Sequence, residues 1–200
     1  LGYRPKFENI VWEDKDELLA DGTVDCLWSS YSMNGREDKY QWAGPYLYSR
    51  QMVVVKNESE IQTLSDLKGK RIAVQATTKA EDLFLHNIKS DLPQMQQVNC
   101  FSTTNEIYAA LRKSYVDAIA GHEAMLGSLV KEGKDAYRML DESIYKSELG
   151  VAFKKGTHEE VAADLTETLK KLQREGITEK IVTKYGLDAD EILPEGEQNE

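Results

Sequence analysis

Three short groups of residues in this 200-residue chain have the types and spacing to hold a small anionic molecule. The first is Ser29-Ser30-Tyr31-Ser32 followed by Met33-Asn34-Gly35-Arg36. Hydroxyls and one guanidinium gathered just past an apolar run make a carboxylate receptor, because arginine offers a planar, permanently charged fork that can donate two parallel hydrogen bonds. The second is Ala76-Thr77-Thr78, with Glu81 three residues beyond Thr78. That is capping-box spacing, and a helix start gathers unpaired N–H groups and the positive end of the helix dipole. The same spacing also describes an ordinary helix cap. The third is Gly121-His122, with Glu123 next to it.

These groups need elements to position them. Val24–Trp28, Gln51–Lys56, Arg71–Gln75, Val98–Phe101, Val116–Ala120 and Leu149–Phe153 are apolar, β-branched runs that read as strands, and Tyr3–Trp12 is expected to be another. Trp42-Ala43-Gly44-Pro45-Tyr46 reads as a rigid aromatic turn. Helical patterns lie between the strands: Glu13–Ala20 with Leu18 and Leu19 inward, a segment after Thr78 with Leu83, Phe84 and Ile88 on one side, and Glu123–Lys131. Two further capping boxes, Thr103 with Glu106 and Thr157 with Glu160, open helices, the second a long one ending at Gly176. Strands alternating with helices predict a parallel α/β sheet, in which ligands sit beyond the carboxyl ends of strands. All three polar groups fall at such ends. The acidic segment after Gly186 reads as a linker or frayed end.

Composition narrows the classes. Net charge is -10 and the pI is near 4.9, which argues against a nucleic-acid groove. No run of about 18 apolar residues is present to span a membrane. Cys26 and Cys100 are the only cysteines, without zinc spacing, and read as two buried free thiols. No nucleotide loop, metal cluster or Ser–His–Asp arrangement is seen. His122 is the one histidine beside a candidate site, since His86 and His158 fall on or beside helices.

The order of motifs resembles the type II periplasmic binding fold, specifically the family 3 solute-binding proteins that serve polar amino acid uptake. The family's strand, Ser-Ser-x-Ser, arginine and aromatic Pro-Tyr turn are matched by Asp25–Ser32, Arg36 and Trp42–Tyr46. Its Asp-Leu-Lys-Gly-Lys motif, Gln-Gly-Thr-Thr loop and Val-Asp-Ala strand are matched by Asp66–Lys70, Gln75–Thr78 and Val116–Ala118, and its closing pattern by Ile177, Ile181, Lys184 and Tyr185. The resemblance implies mixed, mainly parallel sheets flanked by helices in two lobes, residues 1–52 plus 150–200 and residues 53–149, joined by two crossing strands. It implies that Arg36 and Thr77-Thr78 grip a ligand carboxylate, that Ser30 and Ser32 bond the ligand backbone, that Trp12 walls the site, and that Asn34 is a further contact. It implies an extracytoplasmic, monomeric binding protein without cofactor or metal, partnered by a small ligand, an amino acid or small organic acid, and by an ABC transporter permease. A sensory module joined to signalling domains of the same chain is the alternative, and a prephenate-type dehydratase a more distant one. A lipoprotein cysteine upstream would favour transport and a membrane helix downstream a sensor.

Three departures stand out. His122 occupies the place where the family carries an aspartate for the ligand's α-ammonium, with Glu123 as the nearest replacement. The Met33–Gly35 loop is about one residue short. The family's first strand and helix do not precede Leu1, so preceding sequence is expected to be absent.

Overall fold

In the computed structural model, which describes residues 1–86 and 91–194, the chain divides into two compact units. The first comprises Leu1–Ile10, Asp14–Ser49 and Ser147–Glu200, and the second Val11–Glu13 and Arg50–Lys146. Ile88, expected on a helix face, lies outside the described residues.

In the second unit, strand β2 (Tyr40–Lys56) enters at Arg50 and meets β3 (Arg71–Gln75), β4 (Gln97–Phe101), β5 (Ala118–His122) and β6 (Tyr137–Met139). β3 pairs in parallel with both β4 and β5, while β2 runs antiparallel to β5 and β6. The sheet is therefore mixed, with the parallel pairs confined to β3 and its neighbours. Met52 through Val55 are each at most 2 % exposed. Both faces of the strand are covered, so its sequence is a continuous apolar run rather than an alternating one. Val53 and Val55 pack with Ile72, Val74, Leu83 and Ala120 on one face. Met52 and Val54 pack with Ala73, Ile107, Leu111, Ile119 and Leu126 on the other. Helices α2 (Lys79–Phe84), α3 (Thr104–Arg112) and α4 (Glu123–Glu132) supply those covering residues. The Thr103–Glu106 box forms as expected: the Thr103 hydroxyl accepts from the Glu106 N–H, and the Glu106 carboxylate accepts from the Thr103 N–H at 2.9 Å.

The first unit holds β1 (Cys26–Leu27), the opening half of β2, and β7 (Tyr145–Lys154) from Ser147. β1 pairs antiparallel with β7, Cys26 opposite Phe153. α1 (Lys15–Ala20), α5 (Glu159–Arg174), α6 (Ile177–Lys184) and α7 (Ala189–Ile192) complete it, with Ala43, Val151, Phe153, Ala162 and Leu165 as its core.

Several expectations are corrected. Tyr3–Trp12 forms no strand: Tyr3 and Phe7 stand 73 % and 90 % exposed, and without a partner strand an alternating pattern has nothing to pair with. Gly44-Pro45 is not a turn that ends a segment. β2 runs straight through it, with Gly44 at φ +118°, a backbone conformation that glycine tolerates. Val24–Trp28 shrinks to Cys26–Leu27, and the Val116 strand begins at Ala118. The Thr157–Glu160 box does not form, because the helix starts one residue later: His158, at φ 55°, takes the cap position, Glu160 falls one place short of the box position, and the Thr157 hydroxyl donates to the Lys154 carbonyl at 2.7 Å. The segment after Gly186 is not wholly a tail, since α7 buries Ile192 at 5 % exposure. Both cysteines are free as expected, but neither is fully buried: Cys26 is half-buried and Cys100 is exposed.

Candidate functional site

The Ser29–Arg36 loop lies in the first unit, directly after β1. Its turn closes on itself: the Tyr31 N–H donates to the Ser29 carbonyl at 2.7 Å, and the Tyr46 hydroxyl donates to the same oxygen at 2.6 Å. Burial pushes the Tyr46 phenol up to about 12, so it stays a donor. Ser30 is exposed, whereas Ser32 is buried and bridges backbone with Leu149 on β7. Asn34 braces this loop to β7. Its Oδ1 accepts the Glu148 N–H at 2.7 Å and its Nδ2 donates to the Glu148 carboxylate at 3.4 Å.

Arg36 is half-buried. Its guanidinium carbon sits 5.5 Å from the centroid of the Tyr31 ring, and its Nη1 donates to the Ser32 carbonyl at 3.4 Å. The main chain is also fixed, because the Arg36 carbonyl accepts from the Trp42 indole N–H at 3.0 Å. A guanidinium held against an aromatic ring has fewer rotamers open to it, which favours two-pronged carboxylate recognition.

The second group follows β3. Ala76 donates to the Phe101 carbonyl at 2.9 Å, and Thr77 then adopts φ +58°, an uncommon value for a β-branched residue. Such a value marks a loop over-determined by its surroundings. Thr78 is the residue before α2, but the expected capping box takes another form. Its hydroxyl donates to the Gln75 carbonyl at 2.6 Å, and the Glu81 carboxylate accepts the N–H of Thr77, at 2.5 Å, rather than that of Thr78. β3 and β5 are parallel neighbours, Ile72 opposite Ala118, so the loops after Gln75 and after His122 leave the same edge of this sheet.

His122 ends β5 and begins α4. It stands opposite Gln51 in the β2–β5 register, and the Gln51 amide nitrogen lies 3.0 Å from its Nδ1. Glu123 is not available as a ready counter-charge. Arg50 grips its carboxylate with two hydrogen bonds, Nε to Oε2 at 2.8 Å and Nη2 to Oε1 at 2.5 Å. Trp12 lies half-buried in the short 3-10 turn Trp12–Asp14.

The structure thus brings Ser30, Ser32, Asn34 and Arg36 together on one loop of the first unit, and Thr77, Thr78 and His122 to one sheet edge of the second. Sequence reasoning missed Arg50 and Gln51, for which the only signal was their place at the head of an apolar run. It also missed Tyr40 and Asp16 beneath Arg36. Among the described residues no group of three or more His, Cys, Asp or Glu could hold a metal ion, and no helix is long and apolar enough to cross a membrane.

Residues 1–188 match the family described as bacterial extracellular solute-binding proteins, family 3. Among curated proteins, the L-cystine-binding protein TcyJ of Escherichia coli (strain K12) is 26 % identical over 188 residues, a match that spans 92 % of this chain and 68 % of that protein. The glutamate-binding protein GluB of Corynebacterium efficiens is 25 % identical over 193 residues, spanning 91 % of this chain and 63 % of that protein. Among solved structures, the substrate binding protein of an amino acid ABC transporter superposes with a TM-score of 0.78 at 27 % identity, over 90 % of this chain and 79 % of that one.

Proposed function

We infer the function from one premise: this chain belongs to the bacterial extracellular solute-binding proteins, family 3. We propose that it binds a small amino-acid-like carboxylate on the outer side of the cell membrane or in the periplasm, and passes it to the permease of an ABC importer. It does so as a monomer and without chemical turnover of the ligand. Arg36 takes the carboxylate in a bidentate grip. The Thr77-Thr78 loop, whose Thr77 N–H is held by Glu81 and whose Thr78 hydroxyl is held by the Gln75 carbonyl, supplies further contacts to it through its remaining polar groups, and Ser30 and Ser32 bond the rest of the ligand backbone. Trp12 and Asn34 border the bound molecule, Asn34 through the loop it braces.

The observation that carries this reading is the presentation of Arg36, whose guanidinium is seated on Tyr31 and whose carbonyl is tied to Trp42. A cation held this way loses little conformational entropy when it meets an anion, so more of the contact energy appears as affinity. The relatives named for cystine and glutamate support an amino-acid-like ligand.

The test is a thermal-shift screen of the purified chain against amino acids and small organic acids, with L-cystine, L-glutamate, L-glutamine and L-histidine included. A ligand that binds only the folded form raises the melting temperature, by the equivalent of about 2.7 kcal/mol at a hundred times Kd. At least one member of the panel should do so. A flat response across the panel would overturn the reading.

His122 sets the ligand's amino end. The imidazole brings no negative charge, its acceptor nitrogen is met by the Gln51 amide, and the adjacent Glu123 is committed to Arg50. The best wild-type ligand should therefore depend weakly on its α-ammonium, and His122→Asp should strengthen binding of common polar amino acids about tenfold, worth about 1.4 kcal/mol. Calorimetry on both proteins with the same amino acid measures this. Equal or weaker binding by His122→Asp would show that position 122 does not meet the ammonium group.

A further inference from the structure

The first unit contains a chain of hydrogen bonds that ends beneath Arg36. Tyr31 and Tyr40 are buried, at 3 % and 4 % exposure, and Tyr31 Oη donates to Tyr40 Oη at 2.7 Å. Tyr40 Oη in turn donates to Asp16 Oδ1, and Lys39 Nζ donates to the other oxygen of the same carboxylate at 2.7 Å. Every hydroxyl in the chain therefore points toward the carboxylate. The rings pack as a box, with Tyr31 and Tyr40 centroids 5.5 Å apart at 68°, and Trp42 at 5.5 Å from Tyr31 and 5.3 Å from Tyr40. The Arg36 guanidinium rests on the Tyr31 face of this box.

We propose that Asp16, Tyr40 and Tyr31 form a relay that positions the Arg36 guanidinium, making Tyr40 and Asp16 positioning residues for ligand binding. Hydrogen bonds in series polarise one another. Here a carboxylate at one end pulls on both hydroxyl protons, which pushes electron density back into the Tyr31 ring. A richer ring face attracts a cation more strongly. The relay also fixes the plane of that ring, because a phenol tied at its hydroxyl and wedged between Tyr40 and Trp42 cannot tilt. Burial pushes both phenols well above the ordinary tyrosine value, so the two hydroxyls keep their protons at any physiological pH. Burial also works against the Asp16 carboxylate, but the hydrogen bonds from Lys39 and Tyr40 outweigh it and hold the group below the usual carboxylate range, so the anchor stays charged.

The inference rests on the reading of Arg36 as the carboxylate holder, and its test separates the two. Tyr40→Phe keeps the ring and removes the middle hydroxyl. With a ligand found in the thermal-shift panel, Tyr40→Phe should weaken binding about tenfold in the wild-type background. It should weaken it far less in an Arg36→Lys background, since the relay acts only through the guanidinium. Penalties that simply add would overturn the relay, because a purely structural tyrosine would cost the same in both backgrounds. The second readout needs no ligand. The Nε–Hε resonance of Arg36, assigned by its loss in Arg36→Lys, should be shifted by the Tyr31 ring current and move toward the position of a solvated arginine in Tyr40→Phe and in Asp16→Ala. An unmoved resonance in both would also overturn it. Asp16→Ala alters a partly exposed side chain and so serves if Tyr40→Phe does not fold. An empty ligand panel with a moving resonance would defeat the binding reading while leaving the relay intact.

Discussion

Arg36→Ala should bind the carboxylate ligand about a hundredfold more weakly than the wild-type chain while folding almost as stably. The two halves of that expectation have separate physical grounds. A hydrogen bond to a charged group is worth about 1.5–3 kcal/mol, and a fork-to-carboxylate grip makes two. Its loss, set against the water that replaces the guanidinium, leaves a net of about 3 kcal/mol, or somewhat over two decades in Kd. The folded chain loses much less. Arg36 contributes a cation over the Tyr31 face, worth about 0.5–1 kcal/mol at a partly exposed site, and its bond to the Ser32 carbonyl is long. The Trp42 indole keeps its acceptor, because it bonds the backbone of residue 36 rather than the side chain. Calorimetric titration should therefore show the loss of affinity, while the ligand-free melting temperature falls by only a few degrees. Arg36→Lys should fall between the two proteins, since a point charge keeps the attraction but not the paired geometry. An Arg36→Ala protein with wild-type affinity would remove the guanidinium from the site altogether.

What could be read ahead of the structure follows from how local each signal is. The Thr103–Glu106 box and the limits of β3 depend on residues a few positions apart, and both appear as expected. The Gln51–Lys56 strand was legible because both of its faces are buried, which writes an unbroken apolar run. Its first half, Tyr40–Arg50, was not. One face there is only half-buried and polar residues interrupt it, and Gly44-Pro45 carries the usual signature of a turn. The Tyr3–Trp12 segment fails in the opposite sense, with a strand-like sequence and no partner strand. Capping spacing alone misled at Thr157, because the helix starts one residue later, with His158 as its cap. In the candidate site, the types of residue were readable and their commitments were not. Glu123 looked like a spare carboxylate, yet a residue 73 positions earlier neutralises it through the β2–β5 pairing. The Asp16–Tyr40–Tyr31 chain likewise joins residues whose proximity depends on the path of β2, which the Gly44-Pro45 signature concealed.

Ile119→Ala should do the reverse of Arg36→Ala and cost stability without costing affinity. Ile119 is fully buried in the middle of β5, opposite Val54 on β2 and Ala73 on β3. Its side chain belongs to the cluster formed with Met52, Ile107, Leu111 and Leu126. Removing three carbons there forfeits their transfer energy and leaves a void that two strands and two helices cannot collapse to fill, at a cost of about 3–4 kcal/mol. That is a large share of the stability of a typical domain. The loss should appear as a lower denaturation midpoint and as faster hydrogen exchange at the amides of β3 and β5. Side chains alternate along β5, so Ile119 lies on one face of the sheet, while Ala118 and Ala120 pack in the opposite cluster and His122 continues their register. The backbone ladder from Val53–Ala120 to Gln51–His122 is untouched by the substitution, so His122 and the Arg50–Glu123 pair keep their places. Binding measured well below the new melting temperature should stay within about twofold of wild type, a difference of less than 0.5 kcal/mol. A fall in affinity as large as that of Arg36→Ala would instead mean that packing at the centre of the second unit governs the ligand, and the guanidinium would no longer be the residue on which recognition turns.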